Sequence, residues 1–126
     1  LKLDNLTGLI DRNNIQIDGT TEDIMPLEPL RAKYEAFNWH VLEIDGHNFE
    51  QIVNAFEEAK SIYEKPVVII THTIPGKGVP EIEFDYRWHG IPPGSGPTDV
   101  FPKEEQGKEL LARLRTLGGK IKSEHE

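Results

Sequence analysis

The sequence predicts an α/β fold: a three-layer parallel sheet with flanking helices, incomplete at its N-terminus. Three observations lead there. Short apolar runs at residues 6–11, 40–44 and 66–71 alternate with stretches whose apolar residues recur every three or four positions, the marks of buried strands and amphipathic helices. Strands that alternate with helices pair in parallel through right-handed crossovers. A sheet of three strands would also leave two long edges to be covered, so it reads as part of a larger one.

Each element has its own local signals. Residues 6–11 end in the polar group Arg12-Asn13-Asn14, as a buried strand does on leaving its sheet. Asp18-Gly19 signals a turn. Leu27, Leu30, Tyr34 and Phe37 then make one face of a helix opened by Pro26 or Pro29, since proline suits a first helical turn. The second strand closes at Asp45-Gly46. Asn48 and Gln51 have the spacing of a capping box, and Phe49, Ile52, Val53, Phe56, Ala59 and Tyr63 follow on one helical face. The third strand is β-branched throughout, which suits burial on both faces.

Residues 73–102 are rich in Gly and Pro and show no period. A loop of that length inside a compact domain is usually functional or disordered, and Phe84, Tyr86 and Trp88 favour docking. A last helix is expected over residues 102–117, with Leu110, Leu111, Leu114 and Leu117 inward and Gly118-Gly119 stopping it. The domain then covers residues 1–118, and residues 119–126 form a polar tail.

Composition narrows the function classes. Hydrophobic residues make up 37% and charged residues 29% of the 126-residue chain, the balance of a globular protein. A net charge of −8 argues against nucleic-acid or anionic-membrane partners, which need clustered Lys and Arg. A polyanionic ligand in one local pocket is still compatible with it. The longest aliphatic run, Val67-Val68-Ile69-Ile70, is far too short for a membrane span. With no cysteine there is neither a disulfide framework nor a thiolate metal site, which favours a cytoplasmic setting. No targeting segment opens the chain, and its start at Leu1-Lys2-Leu3 points to sequence missing upstream.

In open parallel sheets, ligands gather beyond the carboxyl ends of the strands. Here those ends carry Asn13-Asn14, Asp45-Gly46-His47, and His72 followed by Gly76-Lys77-Gly78. The first is the most informative. An Asn amide oxygen and the backbone carbonyl two residues on can face one point in a tight loop, offering two neutral, hard oxygens. Mg²⁺ takes such donors in a near-octahedral shell that phosphate oxygens and water complete. On these residues alone, a plain turn after a strand is the simpler account of Asn13 and Asn14. Asp45-Gly46-His47 reads as a turn before a helix start, and His72 as a packed or capping histidine. Glu57-Glu58, Glu104-Glu105 and Glu124-His125-Glu126 read as solvated faces or tail.

The segment Asp11-Arg12-Asn13-Asn14-Ile15-Gln16-Ile17-Asp18-Gly19 resembles the second half of the metal and diphosphate motif of thiamine diphosphate enzymes, in its transketolase form. The resemblance continues through Ala36-Phe37-Asn38-Trp39-His40-Val41 and Ile44-Asp45-Gly46-His47. It goes on through Lys65-Pro66 and Thr73-Ile74-Pro75-Gly76-Lys77-Gly78 to Trp88-His89-Gly90, in order, over nearly the whole chain. It implies the thiamine diphosphate-binding fold, as the C-terminal half of the diphosphate-binding domain or subunit. It implies that the amide oxygen of Asn13 and the carbonyl of Ile15 hold Mg²⁺, and that Ile17 packs near the cofactor's rings. Pro75 stands where relatives often have Lys or Ile beside the cofactor, yet it can neither donate a hydrogen bond nor carry charge. Lys77 is either an electrostatic substitute or a solvated loop lysine. His89 matches a catalytic histidine that touches the diphosphate and the donor ketose.

The activity implied by the resemblance is that of a transferase moving a two-carbon ketol unit from a ketose phosphate to an aldose phosphate, as in the pentose phosphate pathway. The Gly-Asp-Gly half of the motif does not occur in these residues, since neither Asp4 nor Asp11 is flanked by Gly. The family's upstream histidines and the Glu that activates the aminopyrimidine are missing too. The expectation is therefore a fragment, a proteolytic piece or part of a larger subunit. It would be completed by an upstream Gly-Asp-Gly segment and a pyrimidine-binding domain or subunit, in a homodimer or heterotetramer. The alternatives are a dihydroxyacetone synthase, a deoxyxylulose phosphate synthase, or a non-catalytic α/β binding module.

Overall fold

The computed structural model describes residues 3–114, 116–117 and 120–121. In chain order the elements are β1 (Thr7–Arg12), β2 (Ile15–Gln16), β3 (Gly19–Thr20), α1 (Thr21–Ile24), α2 (Leu30–Ala36) and β4 (His40–Asp45). They continue with α3 (Phe49–Lys60), β5 (Val67–His72), a 3₁₀ turn (Tyr86–Trp88), α4 (Gln106–Arg113), β6 (Thr116–Leu117) and β7 (Lys120–Ile121). The chain forms two compact units, Leu1–Asn14 with Met25–Thr73, and Ile15–Ile24 with Ile74–Glu126.

The first unit holds the parallel sheet, ordered β1-β5-β4. Both pairings are parallel, Thr7 and His40 each opposite Val67. The strand read as doubly buried is the central one: Val67, Val68, Ile69 and Ile70 are all at most 2% exposed. Its alternation serves both faces. Val67 and Ile69 pack on Ala55 and Ala59 of α3, with Leu42, Ile44 and Ile62 around them. Val68 and Ile70 pack with Val41 on the other face, beside Leu30 and Tyr34 of α2 and Trp39. Helix, sheet and helix make three layers, and each enclosed aliphatic side chain contributes roughly 1.5–3 kcal/mol.

The helices differ from expectation in which residues they bury. Asn48 does cap α3, its side chain accepting from the Gln51 amide at 3.1 Å. The Gln51 side chain, however, accepts from the Asp45 amide at 2.9 Å instead of closing the box on Asn48. The small Ala55 and Ala59 take the sheet-facing positions. Phe49, Val53 and Phe56, expected inward, lie on the adjacent flank at 84%, 58% and 40% exposure, and Tyr63, past the end of α3, is 79% exposed. Phe37 is also exposed, because α2 stops at Ala36 and Asn38 turns the chain through the left-handed region. Gly46 lets two backbones meet: its amide donates to the His72 carbonyl at 2.8 Å, and a Cβ there would stand 2.5 Å from Thr73 Cγ2. His72 itself is exposed and not packed.

The second unit opens with an antiparallel β2–β3 hairpin. Its tip is Ile17-Asp18, one residue earlier than the expected turn, and Gly19 already pairs with Gln16. Thr20 opens α1 by accepting from the Asp23 amide at 3.2 Å. The unit's core is Val79, Phe101 and Leu110, with Ile82, Trp88 and Val100 packed against it. Residues 74–102 are therefore turns gathered on a core to which they contribute Val79 and Phe101. Trp88 takes part, whereas Phe84 is 50% and Tyr86 37% exposed. The last helix is shorter than its leucine pattern implied. It runs over Gln106–Arg113 and ends because Leu114 is extended. Leu110 is buried, Leu111 and Leu114 are exposed, and Leu117 belongs to β6, which pairs antiparallel with β7. The expected stop at Gly118-Gly119 lies outside the described residues, as does the expected tail apart from Lys120–Ile121.

Candidate functional site

In the first unit, Arg12, His72 and Asp45 stand side by side at the carboxyl ends of β1, β5 and β4. Arg12 is only 4% exposed. Its guanidinium donates through Nε and Nη2 to Glu28 Oε1 at 3.2 and 3.1 Å. The Leu30 amide, donating to Glu28 Oε2 at 2.8 Å, and the Arg12 guanidinium hold the Glu28 carboxyl below its ordinary range. The Thr73 hydroxyl donates to Asp11. Asn13 follows, half-buried, and Asn14 lies in the left-handed region at φ 65°, a conformation that Asn tolerates better than most residues. A tight turn directly after the strand is thus present.

In the second unit, Ile15, Pro75 and His89 line one cavity of about 320 Å³. Ile82, Trp88, Ile91 and Leu110 add to its apolar wall. Gly76 bends the chain beneath it at φ 76°, and a Cβ there would stand 2.8 Å from the Ile82 carbonyl oxygen. The 3₁₀ turn presents His89, whose amide donates to the Tyr86 carbonyl at 2.9 Å while its side chain is exposed. Ile17 is at the hairpin tip, 75% exposed, and does not line the cavity. Lys77 is exposed and does not line it either. Among the described residues no group of three or more His, Cys, Asp or Glu could hold a metal. The donors implied for Mg²⁺, Asn13 and the Ile15 carbonyl, are neutral, which suits an ion whose negative ligands are diphosphate oxygens and residues elsewhere.

Sequence reasoning missed Asp85, which also lines the cavity. Its side chain accepts from the Arg87 amide at 3.0 Å, capping the 3₁₀ turn. The Arg87 guanidinium grips Asp85 and reaches Asp99 at 2.7 Å. Arg87 thereby holds both carboxyls below their usual range. The Asp85-x-Arg87 spacing was the available signal. Groups with depressed folded pKa values contribute stability that is complete above the ordinary carboxylate range and lost as pH falls through the folded values. Thermal melts between pH 7 and pH 3 are expected to show this loss, and Asp85→Asn should flatten it. An equal slope in the variant would remove the Asp85–Arg87 pair from the acid response.

A parallel α/β sheet whose first strand runs out into a polar turn is the architecture in which ligands gather beyond the strands' carboxyl ends. The chain belongs to the transketolase family: the model of the transketolase thiamine diphosphate binding domain matches residues 1–107. It is 53% identical over 117 residues to the 6-deoxy-6-sulfo-D-fructose transketolase subunit SqwG of Clostridium sp., covering 93% of this chain and 39% of that one. It is 47% identical over 117 residues to an apulose-4-phosphate transketolase subunit from Phocaeicola vulgatus, covering 92% and 40%. Among solved structures, transketolase from Campylobacter jejuni is similar at 39% identity and a TM-score of 0.62, over 68% of this chain and 13% of that one. The chain spans about two fifths of the length of these two subunit relatives.

Proposed function

We propose that this chain is the part of a transketolase that closes the metal and diphosphate site, in an enzyme moving a two-carbon ketol unit between sugar phosphates with thiamine diphosphate and Mg²⁺. The observation that carries it is the cavity of the second unit, where Ile15, Pro75 and His89 meet although they lie far apart in sequence. The bound cofactor supplies the carbon nucleophile and the electron sink. The chain's residues bind and orient. Asn13 and the Ile15 carbonyl would hold the metal, the apolar wall would exclude water from the ring, and His89 would donate to diphosphate and donor oxygens. Because these two relatives are named as subunits, the proposal includes a partner chain that brings the pyrimidine-binding half.

The relatives' names favour a second reading of the donor. They specify apulose 4-phosphate and 6-deoxy-6-sulfofructose, so the donor here would be a ketose with a terminal anionic group, not necessarily a pentose phosphate intermediate. The test is steady-state kinetics of the assembled enzyme. His89→Ala is expected to lower turnover about tenfold with an unchanged melt, since the residue sits on a docked turn and acts on substrate. Comparing ketose phosphate with ketose sulfonate donors sorts the two readings. A normal rate in the variant, or a collapse in stability, would mark His89 as structural.

A further inference from the structure

Glutamine is mostly a surface residue, yet Gln106 at the start of α4 is 0% exposed. Its side-chain amide is fully occupied. Oε1 accepts from the Gly94 and Gly96 amides at 2.9 and 3.1 Å. Nε2 donates to the carbonyls of Gly96, Pro97 and Phe101 at 3.1, 2.9 and 3.1 Å. One side chain thus folds residues 94–101 around the head of α4. Gly96 in turn lies flat on the Trp88 ring, so closely that a Cβ at 96 would overlap it. Trp88 adjoins His89, and both line the cavity together with Pro93 and Leu110, the latter one helical turn beyond Gln106.

We propose that Gln106 is a positioning residue for His89, acting through Gly96 and the Trp88 ring. This rests on the role given to His89 in the proposed function. A buried polar group is costly unless it is hydrogen-bonded. A fully satisfied network, by contrast, rigidifies what it ties together. A leucine would fill the space beside Phe101 and Leu110 but would leave two amides and three carbonyls without their partner. The backbone of residues 94–97 would then loosen, and Trp88 would lose the surface its ring packs on, leaving the turn that carries His89 to its Asp85 cap.

The experiment uses the assembled enzyme with Gln106→Leu, Gly96→Ala, His89→Ala and the two double variants containing His89→Ala. Each of the first two should lower kcat/KM for the donor about tenfold, and on His89→Ala the further loss should shrink to less than about twofold, as coupled residues do in a double-mutant cycle. Hydrogen exchange of the cofactor-free protein supplies the second readout. Gln106→Leu should speed exchange at Gly94 and Gly96 and also across residues 88–90. A full tenfold loss retained on His89→Ala, or faster exchange confined to residues 94–96, overturns the proposal. Should Gln106→Leu fail to fold, Gly96→Ala carries the same comparison. If His89→Ala alone leaves turnover unchanged, the functional reading of His89 has failed. The exchange at residues 88–90 then still decides whether Gln106 orders that turn.

Discussion

Asn13→Ala in the assembled enzyme is expected to weaken thiamine diphosphate binding tenfold or more, on the scale seen when metal-shell residues are replaced. In the proposed site the diphosphate would reach this part of the protein through the metal, and losing the Asn13 amide oxygen would leave water as its replacement in the shell. Tenfold corresponds to about 1.4 kcal/mol. The fold should not share the loss. The last ladder pair of β1 is Arg12 with His72, so Asn13 stands past the hydrogen-bonded strand. The left-handed turn belongs to Asn14, which the substitution leaves alone. Calorimetric titration of cofactor at fixed Mg²⁺ measures the effect, and raising Mg²⁺ should recover part of it by mass action. Unchanged affinity would remove Asn13 from the metal shell.

The parallel sheet was legible because its signals are local and redundant. The run from Val67 to Ile70 is apolar on both faces, and both faces are covered. Strand positions therefore fell within a residue or two. The helix faces were less legible. Phe49, Val53 and Phe56 share a flank of α3 that the apolar period cannot tell from the sheet-facing one, and Tyr63 lies past the helix end. Ala55 and Ala59 won the buried positions because small side chains let a helix approach a sheet closely. α4 was overextended for a related reason, since the leucine spacing continues past Leu114 while the backbone does not.

The candidate site divides in the same way. Ile15, Pro75 and His89 were reached through a family resemblance, and spacing alone could not have joined them. Ile17 matches an apolar family position yet sits exposed at a hairpin tip. Arg12 was named only as part of a polar strand end, yet the structure buries it against Glu28. A charge at a strand end gives no sign of which distant carboxylate it will meet. Gln106 had no signal at all, because its partners are backbone groups 5 to 12 residues away, and a backbone partner leaves no trace in sequence.

The 126-residue chain by itself is expected to show no ketol transfer and to bind thiamine diphosphate poorly. The donors proposed for the metal, Asn13 and the Ile15 carbonyl, would be two for an ion that takes about six oxygens. None of its described residues form an acidic or histidine cluster that could supply the rest. The activating Glu and the pyrimidine pocket belong, by the family resemblance, to another domain. The chain covers only 39% and 40% of its two subunit relatives, so most of their length lies outside it. The first unit also carries surface that looks unfinished. β1 is an edge strand of the sheet with Leu9 58% exposed, and the Phe49–Val53–Phe56 flank of α3 is open as well. Glu58 on the opposite flank of α3 stands 3.7 Å from His40 on β4, so the open flank faces the β1 side. Leu9 shares the sheet face of Ile69, its register partner. An apolar strip beside an unpaired strand edge invites association, so the isolated chain should self-associate or melt low. Co-expression with the pyrimidine-binding partner and the rest of the diphosphate-binding half should restore binding and turnover together. The checks are a coupled ketol-transfer assay, cofactor calorimetry and intact mass on the same preparation. Measurable transfer by the chain alone, with its mass verified, would show that the site is complete within these residues and that the proposed division of labour is wrong.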